Sequence, residues 1–427
     1  MSHDPSRVPT RRRFLASSGT ALVGASIAAH ASAMPVHVGS SDILRVGLIG
    51  CGGRGSGAAV NALKADPNAR LVAMGDLFGD RLEGSLRGLL NSEVKGQVAV
   101  DDDHKFTDWD NYKGVIANSD VVLLCEAPHF RPMHLRAAIE AGKHVFCEKP
   151  VATDAPGLRS VMETGRLAKE KGLNLVSGLC YRYQKAKREV IQRIHDGAIG
   201  DIVALQCTYN TGFLWHRGRD PKWSEMEYQC RNWLYHTWLS GDHIAEQSIH
   251  SLDKILWAMN DQAPAKVTAS GGRSTRVEPE FGDVYDHFNT VFEWDGGVRL
   301  FHSCRQWGGA DSDVSDFVFG TLGRAAIQSH AISGPNQWRH RGDAGDMYQF
   351  EHDELFRAIR EGTPIHDGDY MCKATLMAIM GRMAAFTGKT ITWEQALAST
   401  QQLGPTEYAW GDAPAPVIAV PGKTQFS

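Results

Sequence analysis

The chain has 427 residues, 42% of them hydrophobic, and a formal net charge of −4, which is room for two domains with cores of their own. No block of Lys and Arg follows the first 13 residues, so the electrostatic footprint of a nucleic-acid binder is missing. No apolar run after Ala33 reaches the ~18 residues of a membrane span.

The N-terminus reads as an export leader over residues 1–33. Arg11, Arg12 and Arg13 form its basic part, Leu15 to Ala29 is mildly apolar, and Ala31-Ser32-Ala33 is a small-residue cleavage site. Thr10-Arg11-Arg12-Arg13-Phe14-Leu15 has the twin-arginine pattern, a route for proteins exported already folded. The expected partner is the twin-arginine export machinery and the expected location is the periplasm. Residues 34–44 read as a linker.

Residues 45–182 read as a dinucleotide-binding domain. "LRVGLIG" suits a buried strand, and Gly50, Gly52 and Gly55 follow in G-x-G-x-x-G spacing. "SGAAVNALKAD" is helical in character, and "ARLVAMGD" is a second strand ending at Asp76, about 20 residues beyond the glycines. Gly50 allows the tight turn, Gly52 lets the backbone approach a pyrophosphate, and Gly55 lets helix and strand pack closely. Asp76 would accept ribose hydroxyls, which favours NAD, while Arg54 and Arg81 leave NADP open. "DVVLLCEAP", "KHVFCEKP" and "LNLVSGLC" are further strands separated by helices, the pattern of a doubly wound parallel sheet. Ligands bind at the carboxyl ends of such strands, where "EAPHF" and "CEKP" lie. The eight cysteines show no C-x-x-C spacing. Cys51, Cys125, Cys147 and Cys180 sit at or near strand ends and read as small buried hydrophobes. No metal site is expected.

"GLIGCGGRGSG", "EAPHFRPMHLRAAIEAGKHVFCEKPVA" and "GLCYRY" resemble the glucose-fructose oxidoreductase / inositol dehydrogenase / rhizopine-catabolism (Gfo/Idh/MocA) family, and the likeness runs over most of residues 45–397. It implies a bound NAD(P), with Arg54, Pro128, His134, Glu148 and Lys149 beside the glycines and Asp76 as cofactor neighbours; an exported enzyme cannot count on soluble NAD, so the cofactor should be held tightly. It also implies that Lys149, in Glu148-Lys149-Pro150, lies between nicotinamide and substrate, orients the reacting hydroxyl and assists proton transfer.

Residues 183–400 read as an α+β domain. "DIVALQCTYN", "AKVTASGGRST", "VYDHFNTVFEWDGGVRLFHSCRQW" and "DFVFGTLGRAAIQS" alternate as strands do, with a hairpin turn at Asp295-Gly296-Gly297. The resemblance implies a largely antiparallel sheet, open on one face and used to form a homo-oligomer. If "GDHIAEQSIHSLDKILW" is one helix, Glu246, His250, Asp253 and Trp257 share a face. The resemblance then makes His250 the acid/base for a sugar hydroxyl. Many members carry Asp four residues before that histidine and Gly two before it, where this chain has Glu246 and Ser248. Glu246 is therefore a second acid/base or orients His250, and Asp253 supports the imidazole or caps local backbone. The aromatic- and Arg-rich run 213–238 suits sugar faces and hydroxyls, and Arg182, Arg231, Tyr235, His236 and Asp253 are the substrate candidates. "GDYMCKATLMAIMGRMAAFTGKTITWEQAL" is a long helix and a short one, and the Pro/Gly-rich tail 401–427 is extended over a surface.

The leading reading is a periplasmic oxidoreductase moving a hydride between a sugar carbinol and bound nicotinamide. A redox-neutral, NAD-dependent glycoside hydrolase and a non-catalytic sugar sensor are the alternatives.

Overall fold

The computed structural model describes residues 42–426; the leader 1–33 and the linker through residue 41 lie outside them. Leu44–Ile49 (β1), Ala69–Gly75 (β2), Lys105–Phe106 (β3), Val121–Leu124 (β4), His144–Cys147 (β5) and Leu175–Ser177 (β6) form one sheet in the order β3-β2-β1-β4-β5-β6. Every pairing is parallel. Strands β4 and β6 are buried at every position, as a sheet covered on both faces requires. The strand order reverses between β1 and β4, so a crevice opens at their carboxyl ends. Strand β3 is two residues long and carries no pattern that a sequence reading could catch.

Ile202–Thr211 (β7), Lys266–Gly272 (β8), His287–Glu293 (β9), Arg299–Gln306 (β10), Asp313–Gly320 (β11), Arg324–Ala326 (β12), Ala331–Ser333 (β13), Trp338–Arg339 (β14) and Ile391–Thr392 (β15) make the second sheet, in the order β14-β13-β12-β11-β7-β10-β9-β8-β15. Only β7 and β10 pair in parallel. The hairpin between β9 and β10 turns on Gly296 and Gly297, both at φ 88°, a region that suits glycine. Along β10, Leu300, His302, Cys304 and Gln306 are buried while Phe301 on the opposite face is 52% exposed. Gln206, Thr268, Ser270 and Asn289 are likewise exposed, so one face of this sheet is open.

The helix Gly368–Thr387 has 15 of its 20 residues buried, as a helix apolar on all sides must. Its Ile379, Met380 and Met383 belong to the same core as Val145 of β5 and Phe292 of β9, so it lies between the two halves. The short helix Trp393–Ala398 follows, as expected.

The chain crosses back between halves. The helix Met347–Glu361, assigned from sequence to 183–400, packs Leu355, Phe356 and Ile359 with Leu44, Val46, Leu48 and Phe146 of the first sheet. Its apolar face joins the helices Gly53–Ala65 and Gly79–Leu90 in covering that side of the sheet. The tail forms no helix or strand and lies on its own chain: Tyr408 joins Trp109 and Phe130, and the Ala419 carbonyl accepts from Tyr285 Oη. All eight cysteines are free, seven of them buried. Among the described residues no helix is long and apolar enough to cross a membrane.

Candidate active site

The glycine loop follows from sterics. Gly50 has φ 91°, and a Cβ there would strike the Glu126 amide. A Cβ on Gly55 would overlap the Gly50 carbonyl oxygen, whereas Gly52 and Gly53 face open space. The helix Gly53–Ala65 begins after Gly52 with no side-chain cap, so its first amides are available to an anion. Asp76, at the end of β2, accepts from the Cys51 amide (2.6 Å) and the Phe78 amide (2.9 Å). Burial raises its pKa, and those two amides oppose the rise. An anion-ready helix end, a loop with room only for glycine and a fixed carboxylate fit a dinucleotide's pyrophosphate and ribose.

At the end of β5, Glu148 is buried under the loop. Gly178 leaves room for it, since a Cβ there would sit 2.7 Å from the carboxylate. Arg54 Nε donates to Glu148, and Arg54 Nη2 donates to Glu351 Oε1 of the helix Met347–Glu361 (2.6 Å). Burial alone would neutralise both carboxyls. Arg54 and Lys149 hold Glu148 below its usual pKa, while burial, with Glu148 nearby, leaves Glu351 well above it. Arg54 is therefore committed to these carboxylates and to the Tyr348 ring at 4.6 Å. It is not the free cation that a 2′-phosphate would need; Arg81, near Asp76, and Arg217, near Arg81, line the cleft as the candidates for that role.

The Lys149–Pro150 peptide is cis. The Lys149 amide donates to Glu148 Oε2 (3.0 Å), and its Nζ donates to the Glu246 carbonyl and to Glu246 Oε1 (3.2 Å). The central helix holds this loop in place, because Thr375 Oγ1 accepts from the Val151 amide (3.3 Å) and Arg382 donates to Thr153 O (2.8 Å) and Gly241 O (2.9 Å).

The single helix expected through Glu246 and His250 is broken. One turn spans His243–Glu246 and a second helix runs Ile249–Ala258. Two partners from β10 account for the break: Gln247 Oε1 accepts from Gln306 Nε2 (2.5 Å), and Ser248 Oγ bonds His302 Nε2 (2.7 Å). The His250 amide turns to the Gln247 carbonyl (3.3 Å), which leaves the Glu246 carbonyl to Lys149. His250 is nearly enclosed, with Tyr181 edge-on at 5.3 Å and no hydrogen-bond partner for its Nδ1. Burial, then Lys149 and Lys254, push its pKa well below the ordinary histidine value, so it is a neutral base.

A cleft of about 440 Å³ runs from the glycine loop to Glu246. Gly50, Gly52, Arg54, Gly55, Asp76, His134, Arg231 and Glu246 line it. His134 is fixed by Glu126 (3.1 Å) and stacks on Tyr112 (4.3 Å). Pro128 and Glu148 are buried and do not line the cleft. Four substrate candidates do not line this cleft. Arg182 and Asp253 pair with each other at 2.7 Å, buried, with Asp261 at 2.6 Å and Tyr370 stacked on the guanidinium. Asp253 thus serves Arg182, not His250. Tyr235 is buried and donates to Leu214 O (3.1 Å). His236 is buried, and burial lowers its pKa to about 4. Of the aromatic run, Trp215 and Trp233 reach the cleft. Phe78 and Trp109 also line it. Only the closeness of Phe78 to Asp76 could have flagged the first, and nothing local flags the second.

Lys149 and His250 do not line the cleft themselves; Lys149 meets its wall through Glu246, and His250 lies behind it near Lys149. A Rossmann sheet with a dinucleotide cradle, backed by a lysine and a neutral histidine, is the arrangement of a nicotinamide-dependent dehydrogenase. The profile described as "Oxidoreductase family, NAD-binding Rossmann fold" matches residues 44–179, and the "GFO/IDH/MocA C-terminal domain" matches 187–326. An inositol 2-dehydrogenase of Cereibacter sphaeroides is 32% identical over 338 residues, 75% of this chain and 87% of that protein. Inositol 2-dehydrogenase 3 of Saccharopolyspora erythraea is 28% identical over 298 residues, 68% of this chain and 75% of that protein. The crystal structure of aldose-aldose oxidoreductase from Caulobacter crescentus superposes with a TM-score of 0.63 at 20% identity, covering 82% of this chain and 99% of that one. The chain belongs to the GFO/IDH/MocA family. It is an NAD-binding oxidoreductase of the sugar and inositol dehydrogenase type.

Proposed function

We propose that the protein oxidises a ring carbinol of a sugar or cyclitol, with NAD held tightly enough to stay through turnover. The observation that carries this reading is the meeting of Lys149 Nζ with the backbone carbonyl and Oε1 of Glu246 at the wall of the nucleotide cleft. When bound, NAD supplies the hydride acceptor. Lys149 has donors to orient the substrate oxygen, and it exchanges its hold on Glu246 for that oxygen. His250, kept neutral by burial and by the nearby lysines, takes the hydroxyl proton onto its ring nitrogen. Glu246 anchors Lys149 between turnovers. Uncapped amides at Gly53 and the following residues bind the pyrophosphate, and Asp76 selects an unphosphorylated ribose. The names of the relatives, inositol dehydrogenases and an aldose-aldose oxidoreductase, support polyhydroxylated rings as substrates.

The test is to purify the protein, identify any nucleotide released on denaturation, and add inositols and aldoses while following absorbance of the reduced cofactor. A sugar-dependent signal that vanishes in Lys149→Met supports the reading; a chain that reduces bound NAD with none of these compounds overturns it. Export rests on the paired arginines: Arg11→Lys with Arg12→Lys should hold the protein in the cytoplasm on fractionation. The open face of the second sheet, carrying Phe301, is the surface proposed to join copies of the chain.

A further inference from the structure

We infer that the C-terminal segment 403–414 is a strap that retains the dinucleotide, acting through the aromatic wall at the adenosine end of the cleft. The inference rests on the reading that this cleft holds NAD. Phe78 lies two residues beyond Asp76, so the wall it shares with Trp109 stands at the ribose end, away from Lys149. The segment has no regular structure, and its position is set by contacts on both sides of the cleft.

On the first-sheet side, the Leu403 amide donates to Asp154 Oδ2 (2.9 Å) and Tyr408 Oη bonds His129 Nε2 (2.8 Å). The Tyr408 ring stacks on Trp109 at 5.4 Å and 21°. Trp410 sits 4.7 Å from Trp109 and 5.8 Å from Phe78, and its Nε1 donates to Asp108 Oδ1 (3.0 Å). Trp410 and Tyr408 thus back the two rings that face the cleft.

On the other side, the same segment grips the start of the helix Glu225–Arg231. The Gly411 amide donates to Ser224 Oγ (3.3 Å), and the Gly411 carbonyl accepts from the Met226 amide (2.9 Å). The Pro414 carbonyl accepts from Gln229 Nε2 (2.9 Å). That helix then reaches back, since the Arg231 guanidinium lies 3.9 Å over Phe78 and pairs with Asp80 at 3.1 Å. Widening the mouth for a dinucleotide to leave requires these cross-links to part together. The cofactor therefore stays between turnovers.

The test uses the full chain loaded with radiolabelled NAD and chased with excess unlabelled NAD, which reads dissociation without turnover. Trp410→Ala is the decisive variant, because the ring is 42% exposed and its removal leaves the backbone contacts intact; a thermal melt without nucleotide confirms folding. Dissociation should quicken about tenfold in Trp410→Ala, and Trp410→Phe should restore part of the retention. Equal rates in wild type and the folded Trp410→Ala chain overturn the strap while leaving NAD binding intact. Exchange within seconds in the wild type overturns it too. A wild-type chain that takes up no NAD at all overturns the functional reading as well.

Discussion

Lys149 has two oxygens of one residue within reach, and a substrate hydroxyl has to compete with them. Lys149→Met should lower kcat by about 10²- to 10⁴-fold with NAD binding retained, measured by steady-state kinetics beside a nucleotide titration. His250→Asn should fall in the same range. Because the imidazole is held neutral, the acid limb of the wild-type rate profile should lie below pH ~6.5. Beneath the lysine, the two carboxyls around Arg54 differ in kind. Burial beside Glu148 pushes the Glu351 carboxyl well above its ordinary pKa, whereas Arg54 and Lys149 hold Glu148 below its own. Glu351→Gln should therefore cost less stability than Glu148→Gln, which should cost roughly 3–5 kcal/mol, the range for removing one partner of a buried ion pair. Denaturant unfolding of the two variants separates them.

Among the elements, the glycine loop divides shape from chemistry. Gly55→Ala puts a methyl group into the Gly50 carbonyl and should lower stability by ~1–3 kcal/mol along with nucleotide binding. Gly52→Ala meets no protein atom within 4 Å, so its melting temperature without nucleotide should hardly move while NAD affinity drops. This loop was legible in the sequence because strand, glycines, helix and acid are written within about thirty residues. The break between Glu246 and His250 was not, since its causes, His302 and Gln306, lie more than fifty residues away on β10. The same holds for Arg182, whose partner Asp253 stands on a helix across the core. A buried guanidinium looks like a substrate ligand until its carboxylate is seen.

At the scale of the whole molecule, several histidines are buried as neutral rings. Burial holds His129 and His236 at about 4 and His302 at about 3, against ~6.5 in the unfolded chain. Below that pH the unfolded state binds protons that the folded state refuses, so stability falls as pH falls. Each ring contributes up to about 1.4 kcal/mol per pH unit between its two values. Melting temperatures taken from about pH 7 down to pH 4.5 should decline throughout. On the open face of the second sheet, Phe301→Glu should shift the protein to a smaller species in light scattering, with its melting temperature measured alongside. The return of Met347–Glu361 to the first sheet bears on how the protein is made. When the ribosome has finished Leu175–Ser177, the last strand of that sheet, the helix that covers Val46, Leu48 and Phe146 has yet to be translated. At about 5–20 residues per second, that leaves roughly ten to forty seconds in which this face, covered only by the helices Gly53–Ala65 and Gly79–Leu90, waits for its last helix. The nucleotide half, although encoded first, is therefore among the last parts of the molecule to be completed.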